Sequence, residues 1–330
     1  MEVMQDVMDD VMGGGEEGCM SGCITRTGCL VMIILIAVLA FLATKFPVAL
    51  PEIALPAEPI LTLPFVGFSI TNTLLATWLT MLILIVGSIA ATRNLKLVPS
   101  GLQNLVEWGL EVLLSLVESV AGSGGRKFFP LVATIFIFLL VCNWMGILPG
   151  FASVGLIHEA HHGGHQVQQV SILGLDIGLL QAEEVGEHET GWTVFSFLRS
   201  AATDLNTPIA LALISVLMTQ VVGVQAQGMR YFSKFVNLKG AMGPIDMVVG
   251  LLETISEFAK IISFSFRLFG NVFAGEVLLA VMAFIIPYLI SIPFLGLELF
   301  VGFMQAFVFA FLTLIFMYMA TMGHEPEGEE

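Results

Sequence analysis

From Pro244 to Met322 the sequence is almost entirely apolar, interrupted by Pro287 and Pro293. In lipid, such a stretch must satisfy its own backbone hydrogen bonds, which leaves helices. A transmembrane barrel is excluded, because the apolar runs are continuous and do not alternate. Inside this tract stands Ser263-Phe264-Ser265-Phe266-Arg267-Leu268-Phe269-Gly270-Asn271-Val272-Phe273-Ala274-Gly275-Glu276. An ionised side chain at mid-bilayer costs at least ~2.5–3.5 kcal/mol on insertion scales. Folding alone does not recover that cost, so Arg267 requires a function and a partner.

Composition fits this reading. Of 330 residues, 57% are hydrophobic and only 12% charged, against about 25% charged in a soluble domain. The net charge is −15. Its acidic residues cluster at the N-terminus (Asp6, Asp9, Asp10, Glu16, Glu17), in a middle loop (Glu183, Glu184, Glu187, Glu189) and at the C-terminus (Glu325, Glu327, Glu329, Glu330). That balance excludes nucleic acid as a partner. Cys19, Cys23 and Cys29 lie at or just before the first apolar run, with Cys142 inside a later one. They form no C-x₂-C pair and have no complementary histidine pair, so they read as reduced cysteines beside a membrane segment rather than as a metal or lipid site.

The chain divides by composition. Residues 1–28 are acidic and Gly-rich and are expected to be a disordered tail. Residues 29–45 are a first transmembrane helix or a cleavable signal. Residues 46–69 carry Pro47, Pro51, Pro56, Pro59 and Pro64, which forbid a continuous helix in this extracytoplasmic segment. The membrane domain is expected over 70–322, with an extracytoplasmic His-rich loop at 151–206 and an acidic cytoplasmic tail at 323–330. Spans are predicted at Ile70–Ala91, Leu131–Leu148 and Thr207–Gln225, and in the tract broken near Pro287. Ser100–Val120 places Leu102, Val106, Leu110, Leu113 and Val117 on one face, the pattern of an amphipathic helix at the interface. The fold class is thus an all-α membrane protein, with five or six transmembrane helices plus one interfacial helix. Arg93, Lys96, Arg126, Lys127, Arg230, Lys234 and Lys239 fall in two loops. The positive-inside rule puts both loops and the C-terminus in the cytoplasm.

From Pro244 to Ile286 the sequence can stay helical for ~64 Å, more than an upright span needs. At ~100° per residue, Glu253, Lys260, Arg267 and Asn271 fall within roughly 40° of one another. Ser256 and Ser263 flank this stripe, while Glu276 turns to about the opposite side, nearer the outside. In the last helix Glu298 and Gln305 share a face with Gly302, Ala306 and Thr313, small residues that let another helix approach. Glu298 stands at a depth where it can meet Glu276. Two carboxylates together in a low dielectric do not both ionise, so one is expected to hold a proton. Plainer readings stay open for several residues. Lys260 can snorkel to the interface. Asn271 and Gln305 can be interhelical glue. Glu253 can be a simple interfacial residue.

His158-Glu159-Ala160-His161-His162 matches H-E-x-x-H, with His165 and His188 nearby. A zinc site of that kind needs a stable helix. Gly163-Gly164 follows at once and apolar periodicity is missing, so the stretch reads as a solvated outer loop. His158, His162 and His165 are then at most weak metal ligands, and neither metal nor cofactor is expected.

Arg267-Leu268-Phe269-Gly270-Asn271 followed by Ala274-Gly275-Glu276 resembles the signature of subunit a of the F-type ATP synthase. Ile70-Thr71-Asn72-Thr73, Cys142-Asn143 through Leu148-Pro149-Gly150, Thr203-Asp204-Leu205-Asn206-Thr207, Leu252-Glu253 through Lys260, and Gln305-Ala306-Phe307-Val308-Phe309 resemble that family's landmarks in the same order. The resemblance spans about residues 68–322. It implies that Arg267 is the essential arginine facing a rotor ring of c subunits. It also implies that Glu276, Glu298, Asn271 and Gln305 line a half-channel open to the outside, and that Glu253 belongs to the cytoplasmic half-channel. Asn143, Asp204 and Asn206 fall near the outer inlet; Lys260 and Ser263 are further lining candidates. The last two helices are expected to form a long tilted hairpin against the ring. The family often pairs a glutamate with a histidine at the positions of Glu276 and Glu298, whereas both are glutamates here. Gly146 stands where some members have an acid.

The resemblance further implies a non-catalytic, proton-translocating stator subunit in a bacterial plasma membrane. Its partners would be the c-ring carboxylate, the b subunits of the peripheral stalk and the rest of the synthase. The alternative is a secondary transporter that uses Arg267 as an anion anchor. That class carries internal symmetry between halves, and the sequence has none.

Overall fold

The computed structural model describes Val38 and residues 59–63, 68–148, 151, 154–159, 165–172, 175–184, 192–235, 244–285 and 291–322. The acidic tails and most of the first apolar run fall outside these residues.

Strands β1 (Pro59–Leu63) and β2 (Phe68–Thr71) pair antiparallel and lead into α1 (Asn72–Thr92). The Thr71 side chain caps α1 by accepting from the Leu74 amide at 3.3 Å, satisfying a donor that the first turn leaves free. Helix α2 (Leu102–Ala121) is followed by α3 (Phe129–Ile147). Gly101 and Gly122 bound α2 with φ of 64° and 61°, a backbone region open to glycine and strained for other residues. That chemistry stops α2 from fusing with its neighbours, so the amphipathic helix stands apart from the spans.

Beyond α3 the structure departs from the expected solvated loop. Strands β3 (Gly155–Glu159), β4 (His165–Ile172), β5 (Leu175–Glu184) and β6 (Trp192–Ser196) form a sheet in the order β3-β6-β4-β5, every pair antiparallel. The backbone groups of this segment therefore pair with one another rather than only with water.

Three helices complete the membrane domain: α4 (Asn206–Gln227), α5 (Pro244–Ile285) and α6 (Ser291–Thr321). Five described helices, α1 and α3 to α6, are long and apolar enough to cross a membrane. With α2 beside them, they bear out the expected all-α membrane architecture. Helix α5 has 42 residues and α6 has 31, both beyond the ~20 that an upright crossing needs.

Helix α3 packs along α6, and α4 lies against both α5 and α6. The seam is built on small residues of α6: Ala306, Ala310 and Thr313 are each 0% exposed. Lipid tails are as apolar as leucine, so such helices associate by close packing and hydrogen bonds. Phe264, Leu268 and Val272 of α5 and Phe309, Leu314 and Met317 of α6 fill the space between them. Leu113, Val117 and Ala121 of α2 join the same core. Ser215 of α4 and Thr313 of α6 share a hydrogen bond of 2.7 Å. This core holds α5 and α6 at a fixed depth relative to each other, and so holds their polar residues.

Candidate functional site: two charged clusters flanking Arg267

The stripe on α5 lies at the margin of its packed face. Opposite the core, Leu251, Ile255, Phe258, Ile262 and Phe266 are all exposed. Glu253, Lys260 and Arg267 are half-buried between these two faces, and Asn271 and Ser263 are exposed. The guanidinium of Arg267 sits 5.9 Å from the centroid of the Phe264 ring. Among the described residues no carboxylate forms an ion pair with it.

On the side of Arg267 expected to face outwards, the structure brings together residues far apart in sequence. Asn271 Nδ2 donates to Gln305 Oε1 at 2.6 Å, joining α5 to α6. Asn143 Nδ2 donates to the Gly302 carbonyl at 3.0 Å, and Trp144 Nε1 to the Leu299 carbonyl at 3.1 Å, joining α3 to α6. Gly302 eases that approach, since a Cβ there would stand a tight 3.1 Å from Asn143 Cβ. Asn143 Oδ1 and Gln305 Nε2 are buried with no hydrogen-bond partner among the described residues. Buried polar atoms are normally satisfied, so this part of the seam keeps unused hydrogen-bonding capacity.

Glu276 does not pair with Glu298. Its partner is Arg199, whose Nε lies 3.1 and 3.3 Å from the two carboxylate oxygens and whose Nη2 lies 3.2 Å from Oε2. Arg199 is 7% exposed. It reaches α5 from the segment just after β6, which docks on the end of α3 where Gly146 leaves room for Ser200. A Cβ on Gly146 would meet Ser200 Cβ at 2.8 Å. Glu298 rests instead on the bare backbone of Gly275, where an added Cβ would lie 2.0 Å from Oε2 and 2.2 Å from Oε1. The expected proximity of Glu298 to the Glu276 turn is present. The shared-proton arrangement is replaced by an ion pair and a separate carboxyl group.

Asp204 and Asn206 stand apart from this cluster. Asp204 accepts from Thr73 Oγ1 at 3.1 Å, from the Asn206 amide at 3.1 Å and from Asn206 Nδ2 at 3.3 Å. With Ser69, Thr71, Thr73 and Thr77 they line a cavity of about 590 Å³ between the start of α1 and the start of α4.

The side expected to face inwards is more local. Lys260 Nζ donates to Glu257 Oε1 at 2.8 Å, one turn away on α5. The ammonium lies 4.7 Å from the Phe316 ring centroid of α6, within reach of a cation–π attraction. Glu257 is 8% exposed and lies one turn from Glu253. Tyr231, in the short 3₁₀ turn after α4, is 2% exposed. Its ring fills the space left by Gly223, where a Cβ would come within 2.3 Å. Burial, and then the carboxylates of Glu257 and Glu253, push its phenol up to about 12.

His158 and Glu159 lie in β3 and His165 in β4, so the H-E-x-x-H stretch begins in extended backbone and lacks the helix a zinc motif requires. His162 falls outside the described residues, as do Cys19, Cys23 and Cys29. Cys142 is free and buried.

Sequence reasoning passed over Arg199, Glu257 and Gly275. Arg199 had a signal: it is the one lysine or arginine in residues 151–206, against the charge rule that assigns this segment to the outside. Glu257 is three residues before Lys260, a spacing at which helical side chains meet. Gly275 carried no such sign, because its role exists only once α6 is laid against it.

Five helices long and apolar enough to cross a membrane, one of them carrying a stripe of charged residues, define an integral membrane protein. The family described as ATP synthase A chain matches residues 74–318. ATP synthase subunit a 2 of Syntrophotalea carbinolica is 32% identical over 243 residues, covering 73% of this chain and 81% of that protein. ATP synthase subunit a of Syntrophobacter fumaroxidans is 32% identical over 245 residues, covering 73% of this chain and 80% of that protein. This chain belongs to the ATP synthase A chain family.

Proposed function

We propose that the chain is the stator of the synthase membrane sector, in a bacterial plasma membrane, and forms two offset proton half-channels against a ring of c subunits. The observation that carries this reading is Arg267, which is held in the membrane between two charged clusters with no counter-charge among the described residues. In the proposal that counter-charge is a carboxylate on a passing c subunit. The b subunits of the peripheral stalk hold the chain against rotation, and the C-terminus lies in the cytoplasm.

A proton enters from outside by the cavity at Asp204 and Asn206, passes the cluster of Glu276, Glu298, Asn271, Gln305 and Asn143, and binds the c-subunit carboxylate. Neutral, that carboxyl can move into lipid without the cost of a buried charge. After nearly a full turn it gives its proton to the cytoplasmic path lined by Glu253, with Glu257 and Lys260 beside it and Ser263 at its margin. Arg267 attracts the ionised carboxylate, lowers its pKa and so favours release. Its fixed charge also repels protons that would cross directly between the half-channels. The chain makes and breaks no covalent bond; its work is to couple proton flow to rotation.

In vesicles carrying the whole complex, Arg267→Ala is expected to abolish ATP-driven proton pumping while the complex still assembles. Normal pumping by that variant would overturn the reading in favour of a role elsewhere. A secondary transporter with Arg267 as anion anchor predicts solute uptake without ATP synthase partners, and the same vesicles test it.

A further inference from the structure

The two outer carboxylates differ in what protonation would cost. Both oxygens of Glu276 are engaged by Arg199, at 3.1, 3.2 and 3.3 Å. Because Arg199 is buried, at 7% exposure, a proton on Glu276 would leave a guanidinium in the membrane domain without its counter-charge. Breaking a pair whose arginine is buried leaves that charge uncompensated, which is unfavourable. Glu298 has no such tie. Among the described residues it makes no ion pair or hydrogen bond. Its carboxyl lies against Gly275, where a Cβ would be 2.0 Å from Oε2. A carboxyl seated on bare backbone can gain and lose a proton without tearing a partner away. Gln305 follows two turns along the same helix towards Arg267, with a buried Nε2 that has no partner among the described residues.

We propose that Arg199 is a positioning residue that keeps Glu276 as a fixed negative charge, and that Glu298 is the carboxyl that carries the proton inward. The step is a plain proton transfer: Glu298 takes a proton from the outer water and passes it on towards the c-subunit carboxylate, while Glu276 keeps its three contacts to Arg199. Gly275 is the feature that lets Glu298 do this beside Glu276 without sharing its partner. The proposal rests on the half-channel reading above.

Whole synthase in vesicles tests it through ATP-driven pumping and passive proton flux. Glu298→Gln is expected to cut flux about 100-fold, the loss typical of removing a positioned proton-transfer group. Arg199→Gln cuts it about tenfold, because a half-buried Glu276 is left unpaired. Arg199→Lys recovers most of the flux. The double variant Arg199→Gln with Glu276→Gln is expected to lose less flux than Arg199→Gln alone, since neutralising both partners leaves no stranded charge. A double variant as inactive as Glu298→Gln, or a fully active Glu298→Gln, overturns the division of roles. The wider reading stands or falls separately, on Arg267→Ala. Infrared difference spectra of the complex give a readout independent of activity: beside the band of the c-ring carboxyls, one protonated-carboxyl component is expected to vanish in Glu298→Gln and persist in Glu276→Gln. The opposite pattern overturns the proposal.

Discussion

The charged clusters on either side of Arg267 are held by different means. The outer one is tertiary. Glu276 meets an arginine 77 residues away, Asn271 an amide 34 residues away and Asn143 a carbonyl 159 residues away. Glycines at 146, 275 and 302 make those approaches sterically feasible. The inner one is largely written along one helix, with Glu257 and Lys260 three residues apart and an aromatic ring beneath the ammonium. An intrahelical pair survives small shifts of its neighbours, whereas an interhelical cluster depends on every helix being in register. The outer cluster is therefore expected to be the brittle side of the molecule and the inner one the tolerant side.

The sharpest way to break this contrast is Gly275→Val. The added side chain occupies the place of the Glu298 carboxyl and is expected to cost about 3 kcal/mol, the upper range for overpacking a dense core. Thermal release of the subunit from the solubilised complex measures this. Inward proton flux should fall with it. Next comes Lys260→Met, which takes the ammonium away from Glu257. Glu257 is only 8% exposed, so a cost of about 1–2 kcal/mol is expected, with pumping reduced but present. Equal losses in both variants would remove the contrast.

A titration sharpens the inner side further. The Tyr231 phenol, held up to about 12 by burial and by Glu257 and Glu253, is expected to stay protonated as the pH passes 10. Glu257→Gln removes one repelling carboxylate and should bring its midpoint down towards 10, as read by NMR of labelled tyrosine. The smallest effect belongs to the solvent-side ion pair of Arg126 and Glu118. Exposed pairs contribute little, and Glu118→Gln is expected to leave both pumping and thermal release unchanged.

Much of the fold was legible because lipid restricts the choices. Apolar run length located α1, α3 and α4 within a few residues. Gly101 and Gly122 mark the ends of the amphipathic helix, and the excess length of the last two helices followed from counting residues. The sheet at β3 to β6 was not foreseen. Its best sign is the two-residue link Leu173-Gly174 between β4 and β5, a hairpin spacing, but the polar and histidine-rich composition hid it. At the site, periodicity placed Glu253, Lys260, Arg267 and Asn271 on one stripe, because helical geometry is local. The partner of Glu276 was not legible by that means, because Arg199 reaches it from another segment. Glu298 was assigned to the right depth, yet its seat on Gly275 depends on how closely two helices approach, which no spacing rule gives.

The central claim is that the counter-charge of Arg267 arrives on another chain. Cysteine crosslinking in the whole complex tests it most directly. Ala274→Cys stands two turns from Arg267 on the same side of α5, at an exposed position. It is paired with a cysteine one turn from the ionisable carboxylate of the c subunit. Leu213→Cys, on the exposed face of α4, serves as the control. The account predicts rapid crosslinking at Ala274→Cys and none at Leu213→Cys. No crosslink at Ala274→Cys, or equal yields at both sites, would contradict it.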